Sequence, residues 1–203
     1  MQTIALLSNK GGAGKTTVAI NLAVAASIAG YSSVLVDTDP QSSSSQWADS
    51  RETDEPVVVS TQPSRLEKVL ETANKAEADY CFIDTAPHSE TGALKAARAA
   101  DFCLIPIRPT ILDIRAVGLT LEMLELVRKP SALVINAIPT KGLSIDAENA
   151  LSEVNVELCP IKLWQRVAYM HSLTGGLGVM EYEKTGKAAN EINRLFQWLN
   201  IHV

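Results

Sequence analysis

The sequence has 203 residues, of which 46% are hydrophobic and 20% are charged, a balance that suits one globular domain and excludes a disordered or fibrous chain. The formal net charge is -5, so no overall positive field draws the protein to nucleic acid or to an anionic membrane. No segment approaches the ~18 uninterrupted apolar residues of a membrane span, and the start lacks a secretory signal pattern, which predicts a cytoplasmic protein.

Apolar runs rich in β-branched residues recur along the chain, and they are continuous, as in strands that are covered on both faces. The predicted strands are residues 3–7, 33–36, 56–59, 80–83, 102–107 and 132–138. Predicted helices lie between them, at residues 15–29, 64–76, 91–99 and 113–128. This alternation predicts an α/β fold, a doubly wound and mainly parallel sheet with helices on both faces.

The second half of the chain is less regular, with a helix expected at residues 145–154, a short strand near 158–163 and a final helix at 187–199. The serine run at 42–45 is interpreted as a helix start within the domain. No repeat or long linker divides the chain, so residues 1–203 are predicted to form a single domain. Widely spaced cysteines in apolar runs predict buried thiols at Cys81, Cys103 and Cys159.

The strongest motif is a glycine-rich loop between the first predicted strand and the first predicted helix, which is the context of a phosphate-binding loop. Lys15 is expected to reach the β- and γ-phosphates of ATP, the Thr16 hydroxyl to ligate Mg²⁺, and Thr17 to meet the α-phosphate. The residues predicted to bind the nucleotide here are Lys10, Gly11, Gly12, Ala13, Gly14, Lys15, Thr16 and Thr17.

This loop departs from the usual pattern, because Asn9 stands where glycine is expected and a second lysine follows at Lys10. The variant resembles the deviant Walker A loop of the ParA/MinD superfamily of P-loop ATPases. The resemblance implies an ATP-dependent homodimer in which Lys10 crosses the interface to the phosphates of the other subunit, acting with Lys15 in catalysis. A cation supplied in trans can neutralise transition-state charge, as an arginine finger does.

Two acidic motifs extend the resemblance, at residues 34–41 for switch I and 81–87 for the Walker B strand and switch II. The resemblance implies that Asp39 orients the attacking water, that Asp84 holds Mg²⁺ through water, and that Asp37 supports the metal shell. The alternative for each aspartate is the capping of the turn that follows its strand. The segment 102–113 resembles the proline-bearing region near adenine, which makes Pro109 and Asn136 candidate base contacts.

The resemblance covers essentially the whole chain and is closest to short plasmid-partition ParA proteins. With no helix-turn-helix extension ahead of Met1, operator binding is not expected. The resemblance instead implies nonspecific DNA binding by the ATP dimer, a nucleoid association in that state, and an activator of the ParB class. The candidate DNA contacts are Arg166, Lys184, Lys187 and Arg194. The alternative is a solvated surface with scattered cations.

Apolar residues recur at helical spacing in the last predicted helix, which either packs on the sheet or lies in a membrane surface. They are Ala188, Ile192, Leu195, Phe196 and Leu199. MinD relatives use a basic amphipathic helix to cycle on membranes, whereas this helix carries only Lys187 and Arg194 with Glu191 between them, so core packing is expected and membrane binding is not. A third hypothesis is a metabolic P-loop enzyme of the amidoligase or dethiobiotin-synthetase kind, against which Lys10 argues.

Overall fold

The continuous apolar runs form the strands of one parallel sheet in the computed structural model, which describes residues 1–202. The strands are β1 (Gln2–Leu6), β2 (Ser33–Asp37), β3 (Val57–Ser60), β4 (Tyr80–Asp84), β5 (Phe102–Ile107), β6 (Ser131–Ile135) and β7 (Glu157–Leu158). Their order is β3-β2-β4-β1-β5-β6-β7, and every pairing is parallel. The predicted fold class is confirmed.

Helices cover both faces of the sheet, and each face has its own core. The helices are α1 (Lys15–Ile28), α2 (Ser43–Asp49), α3 (Leu66–Lys75), α4 (Glu90–Ala99), α5 (Ile111–Val127), α6 (Lys141–Leu151), α7 (Val167–Thr174), α8 (Val179–Tyr182) and α9 (Lys187–His202). Side chains of β1 alternate between the cores: Ile4 packs with α1 and α9, whereas Ala5 packs with α4 and α5. The cysteines are buried thiols, as predicted.

The second half of the chain differs from the prediction at element boundaries. β6 ends at Ile135 rather than at residue 138, since Ala137 takes a left-handed backbone with φ of 52°. The strand predicted near 158–163 has only two residues, because Pro160 cannot donate to a ladder. α6 begins at Lys141, where the Thr140 side chain caps it by accepting from the Leu143 N–H, and α7 and α8 were not predicted.

A buried arginine joins α2 to the C-terminal part of the chain. The Arg51 side chain is 4% exposed and donates to the Gly176 carbonyl oxygen at 2.8 Å and to the Glu181 carboxylate at 2.8 and 3.0 Å. Its guanidinium also lies 4.6 Å from the centre of the Trp47 ring, within cation–π range. A Cβ on Gly176 would lie 2.3 Å from the Ser50 carbonyl oxygen, so α2 fits directly against the loop between α7 and α8.

Parallel pairing brings the ends of β1, β2 and β4 to one edge of the sheet. Leu6 and Asp37 both stand opposite Asp84 in the strand register. The phosphate-binding loop therefore starts beside the two acidic motifs, at the carboxyl edge where open α/β sheets bind ligands.

Candidate nucleotide-binding site

The glycine-rich loop runs from β1 to α1, and its shape requires glycine at two positions. Gly12 and Gly14 have φ of 76° and 95°, in the left-handed region that side chains disfavour. A Cβ on Gly14 would lie 2.1 Å from Nδ2 of Asn136. Asn136 is 8% exposed, and its Nδ2 donates a hydrogen bond to the Ala13 carbonyl oxygen at 2.8 Å. The residue that follows β6 therefore holds the glycine-rich loop in position.

Lys15 opens α1 with its ammonium group inside the protein. The residue is 5% exposed, and Nζ donates to the Ser8 carbonyl oxygen at 3.1 Å. Burial lowers the pKa of Lys15, while the nearby carboxylates of Asp84 and Asp39 act in the opposite direction. A cation held beside these carboxylates and the loop suits a group that meets phosphate oxygens.

Asp84 is a buried carboxylate with one unsatisfied oxygen. It is 1% exposed; Oδ2 accepts from the Ser44 hydroxyl at 2.9 Å, and Oδ1 has no hydrogen-bond partner within residues 1–202. Burial raises its pKa to about 7, although the Thr16 and Ser44 hydroxyls lower it in part. A buried oxygen without a partner beside the Thr16 hydroxyl suits a hard divalent cation, so these two residues fit Mg²⁺.

Asp37 is fully buried, and it caps the segment that follows β2. Oδ1 accepts from the Asp39 N–H at 3.0 Å, and Oδ2 accepts from the Ser45 N–H at 3.1 Å and from its hydroxyl at 3.3 Å. Burial raises the pKa of Asp37, and these hydrogen bonds oppose that effect. The turn-capping interpretation therefore describes its contacts, and its support of a metal shell stays a prediction.

Asp39 is half-buried, in the loop between β2 and α2. Its Oδ1 accepts from the Gln41 N–H at 2.9 Å, and the residue lines the same cavity as Lys15 and Thr16. The preceding Thr38 donates its N–H at 2.9 Å and its hydroxyl at 2.8 Å to the Asp84 carbonyl oxygen. The loops that carry Asp39 and Asp84 are thus tied to each other.

The cavity above the loop has a volume of about 650 Å³, within the range of small-molecule sites. Its wall includes the polar residues Lys15, Thr16, Thr17 and Asp39. Asn136, Trp164, Tyr169 and Met170 line the same cavity. A groove of about 750 Å³ lies between β3 and α3, but valine and alanine side chains dominate it and it contains none of the predicted site residues.

Several wall residues were not predicted, because no motif spacing marks them. Trp164, Tyr169 and Met170 come from the start of α7 and the segment before it, far from the glycine-rich loop in sequence. Arg108 also lines the cavity, with its guanidinium 3.5 Å from where a Cβ of Gly12 would lie. The predicted base contact Pro109 is buried and is absent from the cavity wall.

Lys10 does not line the cavity of its own chain. Its backbone N–H donates to the Ser8 hydroxyl at 3.3 Å, and the residue instead borders a small pocket beside α5 that Pro106 and Asp113 share. The two lysines of the loop therefore separate: Lys15 belongs to the cavity, and Lys10 lies outside it.

The candidate DNA contacts fall into two groups. Arg166 is half-buried, borders the nucleotide cavity, and pairs with Glu191 of α9, its Nε donating to Oε1 at 2.8 Å. Lys184, Lys187 and Arg194 are exposed. Lys187 and Arg194 lie one helical turn on either side of Glu191, so both stand on the side of α9 that meets Arg166.

The final helix packs into the core, as predicted. Its apolar face contributes Ala188, Ile192, Leu195, Phe196 and Leu199, all between 0% and 3% exposed. Within residues 1–202 no helix has both the length and the apolar character needed to cross a bilayer.

Comparison with known proteins agrees with this geometry. A model of the CobQ/CobB/MinD/ParA nucleotide binding domain matches residues 4–174. Maintenance of carboxysome distribution protein A of Halothiobacillus neapolitanus is 30% identical, over 95% of this chain and 94% of that protein. Protein ParA of Rhizobium radiobacter is 25% identical, over 93% and 90% of the two chains. Septum site-determining protein MinD of Pyrococcus horikoshii, solved with Mg-ADP, has a TM-score of 0.81 at 19% identity, covering 98% of this chain and 95% of that chain.

Proposed function

The chain belongs to the CobQ/CobB/MinD/ParA family of nucleotide-binding domains and is an ATPase of the ParA/MinD type, and from this we propose that it positions a cargo inside the cell. In the proposed cycle the protein alternates between an ATP-bound dimer on nonspecific DNA and a form released from DNA. The relatives named for carboxysome distribution and for ParA support a cargo that is a protein assembly or a plasmid. The observation that carries the proposal is the separation of the two loop lysines.

The cavity would hold ATP with its phosphates on the glycine-rich loop. Lys15 meets the β- and γ-phosphates, Thr17 meets the α-phosphate, and the base lies toward Trp164 and Asn136. Thr16 and Asp84 hold Mg²⁺, which when bound neutralises charge on the phosphate oxygens. Asp37 acts indirectly, because it fixes the backbone of Asp39.

Hydrolysis breaks the bond between the γ-phosphorus and the oxygen that bridges to the β-phosphate. Asp39 orients a water in line with that bond, and Lys15 stabilises the charge that develops on the leaving oxygen. Lys10 of the second subunit supplies a further cation to the same phosphates. A cation that arrives only in the dimer makes dimerisation depend on ATP and keeps hydrolysis slow in the monomer.

The DNA surface lies on the α9 side of the cavity. Arg166 contributes to the cavity wall and to the ion pair with Glu191, and Lys187 and Arg194 flank that pair, with exposed Lys184 just before the helix. A change in the bound nucleotide can therefore alter the position of Lys187 and Arg194 through the Arg166 side chain, which lines the cavity and pairs with Glu191. Phosphate contacts need only charge, so two copies in a dimer can bind DNA despite the net charge of -5. An activator of the ParB class, with a basic disordered segment, would then stimulate release.

Membrane cycling is the weaker alternative, because the apolar face of α9 is occupied by the core. The hypothesis of a metabolic enzyme that transfers phosphate to a small molecule is also weaker, because it does not explain a lysine at position 10 that lies outside the cavity.

The test is binding of the Asp39→Ala protein to random-sequence duplex DNA with ATP or ADP across a salt series. We expect binding that needs ATP, weakens steeply with salt and is reduced by Lys187→Ala and Arg194→Ala. Lys75→Ala is the matched control, an exposed lysine on α3 at the opposite face of the sheet, and it should bind as the parent does. Absence of binding at low salt in every nucleotide state would refute the DNA-carried cycle, and liposome pelleting would then test the membrane alternative.

A further inference from the structure

Helix α5 carries an apolar stripe on the side that faces away from the sheet. Leu112, Leu119 and Leu126 follow one another at intervals of seven residues and are 63%, 61% and 83% exposed. The opposite side of α5 is anchored in the core through buried Val117 and Leu124. These leucines therefore add little to the fold of one chain, although each leaves most of its apolar surface in contact with water.

The stripe has the spacing of a helix-pairing seam. Ala116 and Met123, both half-buried, complete a series with alternating steps of four and three residues: Leu112, Ala116, Leu119, Met123 and Leu126. This is the pattern by which the side chains of one helix fit between those of another. A straight helix drifts only about 20° per seven residues, so the series stays on one side across its length of about 21 Å. The occupant that fits is another α-helix with an apolar stripe.

The charges beside the stripe make α5 complementary to a second copy of itself. Arg115 and Glu122 are exposed, lie on the same flank of the stripe on either side of Leu119, and form no ion pair within residues 1–202. If two α5 helices pair antiparallel about a two-fold axis at Leu119, Leu112 meets Leu126 of the other copy. Arg115 then faces the other copy's Glu122, and the pair occurs twice by symmetry. Parallel pairing would instead place this flank against the opposite flank of the other copy, so Arg115 and Glu122 would not meet.

We propose that two copies of the chain associate through antiparallel α5 helices, by a contact that does not use the nucleotide cavity. One pair of helices buries less than the roughly 1,200–2,000 Å² of a stable interface, so the association is weak and depends on concentration.

The first experiment is sedimentation of the nucleotide-free protein across a concentration series. Leu119→Lys sets two lysines against each other at the axis and should weaken association about 30-fold or more. Arg115→Glu and Glu122→Arg should each weaken it, roughly threefold to tenfold, and the double variant should restore it because both pairs are then reversed. Ile28→Lys, at an exposed residue on α1 that is 51% exposed, is the matched control and should associate as the wild type does.

Cysteine cross-linking tests the orientation. The native cysteines are buried, so an oxidant reports on introduced thiols. Leu119→Cys should cross-link to itself, whereas Leu112→Cys should cross-link to Leu126→Cys in a mixture and neither should do so alone. Self-linking of all three variants, or association that survives Leu119→Lys, would overturn the antiparallel pairing. A wild type that stays monomeric to its solubility limit would also overturn it. An ATP-dependent dimer that is lost in Lys10→Ala would still support the proposed function in that case.

Discussion

Gly14→Ala tests whether the glycine-rich loop is held by Asn136 as described. The new Cβ would lie 2.1 Å from Asn136 Nδ2, so the side chain that donates to the Ala13 carbonyl must move. The left-handed φ of 95° costs an alanine about 1–2 kcal/mol. Displacing a buried hydrogen-bond donor adds about 1–3 kcal/mol. The free energy of unfolding should therefore fall by about 2–5 kcal/mol.

Thermal unfolding and ATP titration measure the effect. For a chain of this size the loss corresponds to a fall in Tm of about 5–15 °C. ATP affinity should drop by about tenfold or more, because the distorted loop turns its N–H groups away from the phosphates. Gly142→Ala is the matched control: it lies on α6 outside the cavity wall, its new Cβ would have no heavy atom within 4 Å and its φ is ordinary, so both quantities should stay near wild type.

A double variant separates the clash from the backbone strain. Asn136→Ala removes the obstructing nitrogen but not the positive φ of Gly14. Gly14→Ala with Asn136→Ala should therefore lose less stability than the two single losses added together, by about 1–2 kcal/mol. Strict additivity, or a Gly14→Ala protein that binds ATP normally, would refute the contact between these residues.

Three further outcomes are expected. Burial raises the pKa of Glu181, but hydrogen bonds from Arg51 and the Gly178 N–H lower it by more, so the folded pKa lies below the unfolded value. The ion pair therefore stabilises the fold fully above about pH 4.3, and this stabilisation is lost as the pH falls through the folded pKa. Glu181→Gln should destabilise by about 1–3 kcal/mol at pH 7 in urea unfolding, and a difference that fails to shrink below pH 4 would contradict the ion pair. Lys10→Ala should bind ATP yet show no ATP-dependent dimer in light scattering, and normal ATP dimers would exclude a lysine acting in trans. Leu195→Ala should cost about 2–5 kcal/mol because the side chain is fully buried, whereas exposed Arg194→Ala should change stability little in the same assay.

The parallel sheet and the glycine-rich loop could be predicted because their signals are local. Residues 3–7 form a continuous apolar run directly ahead of the loop, and Lys15 and Thr16 open a helix at the spacing that phosphate binding requires. The residues at which helices and strands end were harder to predict from the sequence. β6 stops because Ala137 adopts a left-handed backbone, a conformation that its residue type disfavours and that only the tertiary structure imposes.

The far wall of the cavity could not be predicted, because it depends on contacts between distant parts of the chain. Trp164 and Tyr169 line the cavity because α7 and the segment before it dock there, and Arg166 pairs with Glu191 twenty-five residues later. For Asp37 the sequence left metal support and turn capping open. The position of Ser45 at the start of α2 accounts for the contacts that the structure places on this carboxylate.

The contacts of buried Arg51 with Gly176, Glu181 and the Trp47 ring form a clamp that holds the α2 segment in place. Arg51 and the Trp47 ring hold α2 against the loop before α8, while Asp37 and Thr38 fasten its other end to the sheet. Breaking the clamp would leave a desolvated guanidinium without its counter-ion, which is costly, so the contact between α2 and α8 is expected to persist. The segment from Asp39 to Arg51 is thus fastened at both ends, and a shift of Asp39 would be opposed by the contact with the C-terminal part of the chain as well as by the sheet.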